Sequence, residues 1–226
     1  MRKTSSFDLV IFDCDGVLVN SEPLTNKVYV QMLGEFGYQV DAEQYLREFS
    51  GTYVNERLEI TSQRLNWTPP VDFLSIFNER LSVVTKTELQ PVIGVQSLIE
   101  SLSVPICVAS NGSREEIALR LKSARLTDYF GEAVFSGMEV PHPKPEPDVF
   151  LAAAKAFNVS PDQCIVVEDS IPGVTAAVRA GMRVFGHAAA TSEKSLKKAG
   201  AIPFGSMMEL QTILNDMYQI TTYYSG

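Results

Sequence analysis

Five short runs along the chain are apolar without interruption and rich in β-branched residues: LVIF (9–12), PICVAS (105–110), AVFSG (133–137), CIVVED (164–169) and RVFG (183–186). Continuous apolarity, as opposed to alternation, marks strands buried on both faces, and helical periods fill the stretches between the later runs. The pattern predicts parallel strands joined by helices. SREEIALRLKSARL opens with a capping box, Ser113 to Glu116, and then sets Ile117, Leu121 and Ala124 on one side. PDVFLAAAKAF follows, and then IPGVTAAVRAG, with Pro172 near its start and Gly181 as its stop.

Residues 13–104 contain no comparable β run. SEPLTNKVYVQMLGEFG places Leu24, Val28 and Met32 at fourfold spacing, and DAEQYLREF, VNERLEITSQRL and VDFLSIFNERLSVV also read as helices, with NWTPP (66–70) as a loop. A crossover between parallel strands needs only about a dozen residues, so the insert is too long to be one and predicts a second domain. The expected organisation is an α/β core from residues 1–19 and 90–226, with a small all-helical domain, 20–89, inserted after the first strand. Phe73, Phe77 and Leu81, at helical spacing, are read as packing.

The 226 residues are 45% hydrophobic and 20% charged, and no uncharged apolar run approaches the ~20 residues of a membrane span. MRKTSSFDLV is basic, but Asp8 and Asp13 break the apolar stretch that a secretory leader requires, so a cytoplasmic location without membrane attachment is expected. The three cysteines, Cys14, Cys107 and Cys164, sit in or beside β-branched runs and read as small buried thiols of a reducing compartment. A net charge of -8 and a pI near 4.9 argue against nucleic acid as a partner, since a phosphate-backbone footprint needs clustered Lys and Arg. A small anionic substrate stays open, because a few focused cations and a metal outweigh a distant acidic surface.

In a doubly wound parallel sheet the ligand site lies beyond the carboxyl ends of the strands. The first run ends in Asp13 and Asp15, the second in Ser110 and Asn111, the fourth in Glu168 and Asp169, and Lys144 falls in the loop PHPKPEPD after the third. Carboxylates gathered without a cation repel one another, so either some are protonated or a metal sits among them; hard oxygen ligands suggest Mg2+. Asp13, Asp169 and Glu168 are side-chain candidates, and Asp15 is able to offer its backbone carbonyl. Residues i and i+2 of a strand point the same way, so Asp13 and Asp15 face one substrate while Cys14 turns inward. One carboxylate then attacks phosphorus and the other handles the proton, with Ser110 and Lys144 binding phosphoryl oxygens. Each has a plainer reading too: DxD before Gly16 as a turn pair, Ser110 as a helix cap, Lys144 as a solvated loop lysine, Glu168 and Asp169 as caps. Asn111 and Arg114 are weaker candidates for substrate contact, and His142 and His187, with no second histidine at metal spacing, read as loop or surface residues.

DCDGV, ASNGS, PKPEPD and VEDS, in that order, resemble the four motifs of the haloacid dehalogenase (HAD) superfamily, and the helical insert resembles the cap of its beta-phosphoglucomutase-like branch. The resemblance implies a Rossmann-like core with a mobile cap and a Mg2+-dependent phosphoric monoester hydrolase. It implies Asp13 as nucleophile, Asp15 as general acid/base, Ser110 and Lys144 as phosphate ligands, and Asp13, Asp15 and Asp169 as metal ligands. It places substrate choice in the cap, with Gly51 and Thr52 of FSGTYVNE as candidates. Mutases of that branch carry a histidine where this chain has Thr25 and a cap arginine where it has Val54, so hydrolysis of a sugar phosphate or phosphorylated sugar acid is preferred over phosphoryl mutation. Dehalogenases usually lack the second aspartate, which Asp15 supplies. The alternative from another class is a phospho-aspartate signalling module; those keep the acceptor on a later strand and lack so large an insert.

Overall fold

The computed structural model describes residues 7–49, 52 and 54–223, the last six as backbone only. Six strands, β1 (Leu9–Phe12), β2 (Ile106–Ser110), β3 (Val134–Ser136), β4 (Cys164–Glu168), β5 (Arg183–His187) and β6 (Ile202–Phe204), form one parallel sheet in the order β3-β2-β1-β4-β5-β6. The order reverses at β1, whose neighbours are β2 on one side and β4 on the other. That makes the end of β1 the topological switch point, where this class of sheet leaves a crevice. β1 is buried along its whole length, as an uninterrupted apolar strand between two layers of helices must be. The chain has the α/β doubly wound architecture that the pattern of runs predicts.

The chain divides into two compact units, Met1–Asn20 with Gln90–Gly226 and Ser21–Leu89. The first holds the sheet together with α5 (Val95–Ser101), α6 (Arg114–Ser123), α7 (Thr127–Phe130), α8 (Asp148–Ala156), α9 (Ile171–Arg179), α10 (Glu193–Ala199) and α11 (Met207–Tyr223). Leu9, Ile11, Val166, Phe150, Ala153, Val174 and Ala177 pack into one apolar layer of its core, each large side chain contributing roughly 1.5–3 kcal/mol by leaving water. α6 begins with the capping box read from the sequence, Ser113 Oγ accepting from Glu116 N. Cys14, Cys107 and Cys164 are buried free thiols. Where the chain leaves and re-enters this unit, its two passages pair: Asn20 N donates to Gln90 O at 2.9 Å and Val92 N to Leu18 O at 3.0 Å.

The second unit is α1 (Glu22–Glu35), α2 (Ala42–Phe49), α3 (Val54–Leu65) and α4 (Phe73–Glu88). Leu24, Val28 and Met32 face inward along α1, and Phe73 and Phe77 along α4. Tyr29 is the centre of an aromatic cluster, stacked on Tyr45 at 5.6 Å and edge-on to Phe73 at 5.7 Å. Arg57 is buried against these rings, its Nη2 donating to Phe49 O at 2.9 Å. No helix among the described residues is long and apolar enough to cross a membrane.

Five elements escape the reading of apolar runs: β6, α5 and α11, and the short helices α7 and α10. β6 is three residues with a central proline and an exposed first residue, too short and too polar in surroundings to register as a buried run. α5 is a seven-residue connector, and α11 carries its buried Met207, Leu210 and Leu214 at i, i+3 and i+7, a legible but sparse stripe.

Candidate active site

Pairing of Phe12 with Val108 on one side and Val167 on the other places Asp13 one residue beyond the sheet, between the ends of β2 and β4. Asp13 N donates to Val167 O at 2.9 Å, which fixes the direction of the strand as it exits. Cys14 turns into the core, and the chain then coils tightly: Leu18 N and Val19 N both donate to Cys14 O, and Gly16 N to Val19 O at 2.8 Å. Gly16 needs its missing side chain twice. Its φ is +73°, and a Cβ there would lie 1.9 Å from Asp169 Oδ2.

Lys144 reaches into this exit from the loop after β3 and is only 7% exposed. Its ammonium donates to Asp13 Oδ1 (2.5 Å), Glu168 Oε1 (2.7 Å) and Ala109 O (2.9 Å), so all three N–H bonds are used, and it lies 4.8 Å from the centre of the Phe150 ring. Asn111 holds the lysine's own backbone from both sides: Nδ2 donates to Lys144 O at 3.1 Å and Oδ1 accepts from Lys144 N at 2.9 Å. Ser110 is buried at the end of β2, its Oγ accepting from Gly112 N at 3.3 Å with the hydroxyl hydrogen left for a further partner.

Glu168 is fully buried, and both of its oxygens are taken. Oε1 accepts from Lys144, while Oε2 accepts from Asp169 N, Ser170 N and Ser170 Oγ, each at 2.9 Å. The sequence reading set Glu168 among possible metal ligands; its lone pairs are spent on positioning Lys144 and the turn into α9. Gly173 makes room for it, since a Cβ there would lie 1.7 Å from Glu168 Oε1. Gly173→Ala would bring about 1 kcal/mol of helix propensity, but it evicts a carboxylate from a buried ion pair, a loss of roughly 3 kcal/mol or more. The variant is expected to unfold at lower temperature than the parent by calorimetry, and an unchanged melting temperature would contradict this packing.

Asp15 faces Arg120, whose Nε is 3.0 Å from Asp15 Oδ1. Arg120 was not singled out from the sequence; the available signal was an arginine one residue before Leu121, near the apolar face of α6. The second residue missed is His187. Expected on a loop or the surface, it is 6% exposed at the end of β5, and its Nδ1 lies 2.8 Å from Gly16 O. Arg114 is exposed and gives its guanidinium to Glu139 in a two-point pair at 2.8 and 2.7 Å. Thr52 belongs to the helical unit, its N–H donating to Phe49 O, and Gly51 lies outside the described residues. The structure thus brings together Asp13, Asp15, Ser110, Asn111, Lys144, Glu168 and Asp169.

The electrostatics are those of an acid cluster short of positive charge. Burial, assisted by Glu168 and Asp15 and opposed by Lys144, pushes the Asp13 carboxyl up to about 7. Burial, then Glu168 and Asp13, hold Asp169 well above the carboxylate range. Burial disfavours charge on Lys144, yet Asp13 and Glu168 outweigh it and keep the ammonium protonated. Among the described residues no hydrogen-bond donor reaches the Asp169 carboxylate, and no three His, Cys, Asp or Glu side chains close around one point. The donors on offer are two carboxylates, Asp13 and Asp169, and the Asp15 carbonyl. Such a set fits an ion that keeps much of its water, which is the habit of Mg2+.

A sheet of this order with acids at the switch point and a buried lysine beside them belongs to a class of hydrolases that the sequence comparison defines. Residues 10–187 match the model of the haloacid dehalogenase-like hydrolases, and the chain belongs to that family. The chain is 33% identical over 182 residues to the 6-phosphogluconate phosphatase of Escherichia coli, covering 80% of this chain and 82% of that protein. A haloacid dehalogenase-like protein of unknown function from Agrobacterium tumefaciens superposes with a TM-score of 0.85 at 32% identity, over 94% of this chain and all of the other. A putative beta-phosphoglucomutase from Thermotoga maritima gives 0.75 at 28% identity over 92% and 99%.

Proposed function

We propose that the protein is a Mg2+-dependent phosphatase of small phosphomonoesters, a sugar phosphate or phosphorylated sugar acid, working through an aspartyl-phosphate. The observation that carries the reading is the convergence of Asp13, Ser110 and Lys144 at the ends of three strands. The phosphatase similar to this chain supports the substrate class, and Thr25 and Val54, standing where mutases of the branch carry histidine and arginine, favour hydrolysis over transfer to a second hydroxyl.

Asp13 and Asp169, with the Asp15 carbonyl, would hold Mg2+, which supplies positive charge that lowers the proton affinity of the acids and draws in phosphoryl oxygens. Asp13 in its ionised form attacks phosphorus; the P–O bond to the leaving group breaks, and Asp15, as the acid, delivers a proton to the departing oxygen. The roles then reverse. Asp15 takes a proton from water, the hydroxide oxygen adds to phosphorus, and the Asp13–phosphorus bond breaks to release phosphate. Ser110 Oγ–H is the donor left free to hold a phosphoryl oxygen. Lys144, with its hydrogens engaged, contributes as a fixed charge that keeps Asp13 oriented and nearer its ionised form. Glu168 acts behind it, holding Lys144, and we assign it no place on the metal. The helical unit, 21–89, is assigned the choice of substrate.

Two outcomes test the reading directly. Chelation by EDTA should abolish release of phosphate from p-nitrophenyl phosphate, with recovery on adding Mg2+ and not Ca2+, whose looser coordination disorders the reacting groups. Ser110→Ala should lower kcat by about 10²-fold, the cost of one preorganised donor to a developing oxyanion. Full activity in EDTA would remove the metal from the proposal.

A further inference from the structure

Among the groups at the site, His187 is one that neither the four motifs nor the chemistry above accounts for. It ends β5, opposite Phe204 of β6, and its ring stacks on that phenylalanine with centroids 5.2 Å apart and planes 17° from parallel. Its Nδ1 lies 2.8 Å from the carbonyl oxygen of Gly16. A carbonyl only accepts, so Nδ1 carries the hydrogen and donates it. Within the turn, amide hydrogens return to the carbonyls of Cys14 and Val19, which leaves the Gly16 carbonyl to the histidine.

Resting on the phosphatase reading of the site, we propose that His187 is a positioning residue that pins the Asp15–Gly16 turn and so sets the places of Asp15 and Asp169. Gly16 is the least constrained residue of the turn, with φ at +73° and no Cβ. Its neighbours on either side are the functional groups. Asp15 precedes it, and the Asp169 carboxylate fills the space that its side chain would take. A rotation of the Gly16 peptide therefore changes where the Asp15 carbonyl and side chain point and the wall against which Asp169 rests. A buried, stacked imidazole anchored in a separate strand opposes that rotation. A phenylalanine in its place would preserve the stacking and the burial but not the donor.

The test separates the donor from the ring. His187→Phe should lower kcat by about 10²-fold, the scale of a misplacement of about 1 Å among reacting groups, with KM within about twofold because the lost term acts in the transition state. His187→Asn, whose Nδ2 takes the place of Nδ1, should restore most of the rate. Amide hydrogen exchange over residues 14–19 should quicken in the Phe variant and return toward the parent in the Asn variant, and this readout needs no turnover. If the Phe variant does not fold, His187→Leu against His187→Asn, of similar size and differing in the donor, makes the same comparison. Equal rates and equal exchange in the donor and non-donor variants overturn the pinning. A parent protein with no phosphatase activity, in which exchange at 14–19 still depends on the donor, overturns the phosphatase reading and leaves the pin standing.

Discussion

Asp13→Asn is expected to silence the enzyme and leave its fold intact. Loss of a nucleophile that works as one unit with its partners costs roughly four to six orders of magnitude in kcat, so hydrolysis of p-nitrophenyl phosphate with Mg2+ should fall to background. The fold should survive for a reason visible in the geometry. Asparagine keeps an oxygen where Asp13 Oδ1 accepts from Lys144, and the lysine retains Glu168 as its counter-charge. The substitution also removes a carboxyl that burial makes reluctant to ionise, since Asp13 is pushed up to about 7. The variant should therefore unfold at or slightly above the parent's temperature at pH 8. Undiminished turnover in this variant would remove Asp13 as the attacking group, and a parent inactive on every phosphoester tried would reopen the reading as a phospho-aspartate signalling module.

The parts of this site that were legible in the sequence are those that the polypeptide must announce locally. A carboxylate pair at the end of an apolar run, as in IFDCD, contradicts its surroundings, and so does VVED; such contradictions are readable because burial and charge oppose each other within a few residues. The order of the strands brought those ends to one edge without any knowledge of side-chain geometry. The contacts that escaped are long-range and carry no local signature. His187 meets Gly16 from 171 positions away, and Arg120 meets Asp15 across two elements. Glu168 was legible as functional but not in its task, because the competition for its oxygens by Ser170, Asp169 and Lys144 is settled only by the turn into α9.

Lys144 joins the architecture to the chemistry, and its replacement by methionine should damage both. With the ammonium gone, Asp13 and Glu168 face each other in a buried space with no cation, and breaking a buried pair in this way costs about 3–5 kcal/mol. The size of the loss should depend on pH, with a definite sign. With the opposing lysine gone, burial and the neighbouring Glu168 charge raise the Asp13 carboxyl of the folded variant further above its unfolded value, so between those two values the folded form binds more protons than the unfolded one. Stability contributed by the raised group is then fully present below the ordinary carboxylate range and is lost as pH rises through the folded pKa. In the parent the same argument applies to Asp13 and Asp169, so metal-free protein should lose stability as pH rises from about 4 through about 7. In Lys144→Met the decline should be steeper and extend further, so the gap between variant and parent in urea denaturation should be wider at pH 8 than at pH 5. Adding Glu168→Gln to Lys144→Met removes one of the stranded charges and should recover part of the stability but none of the activity, because Asp13 still lacks the charge that orients it. A gap independent of pH, or a double variant no more stable than Lys144→Met, would mean that Lys144 matters here for its volume and not for its charge.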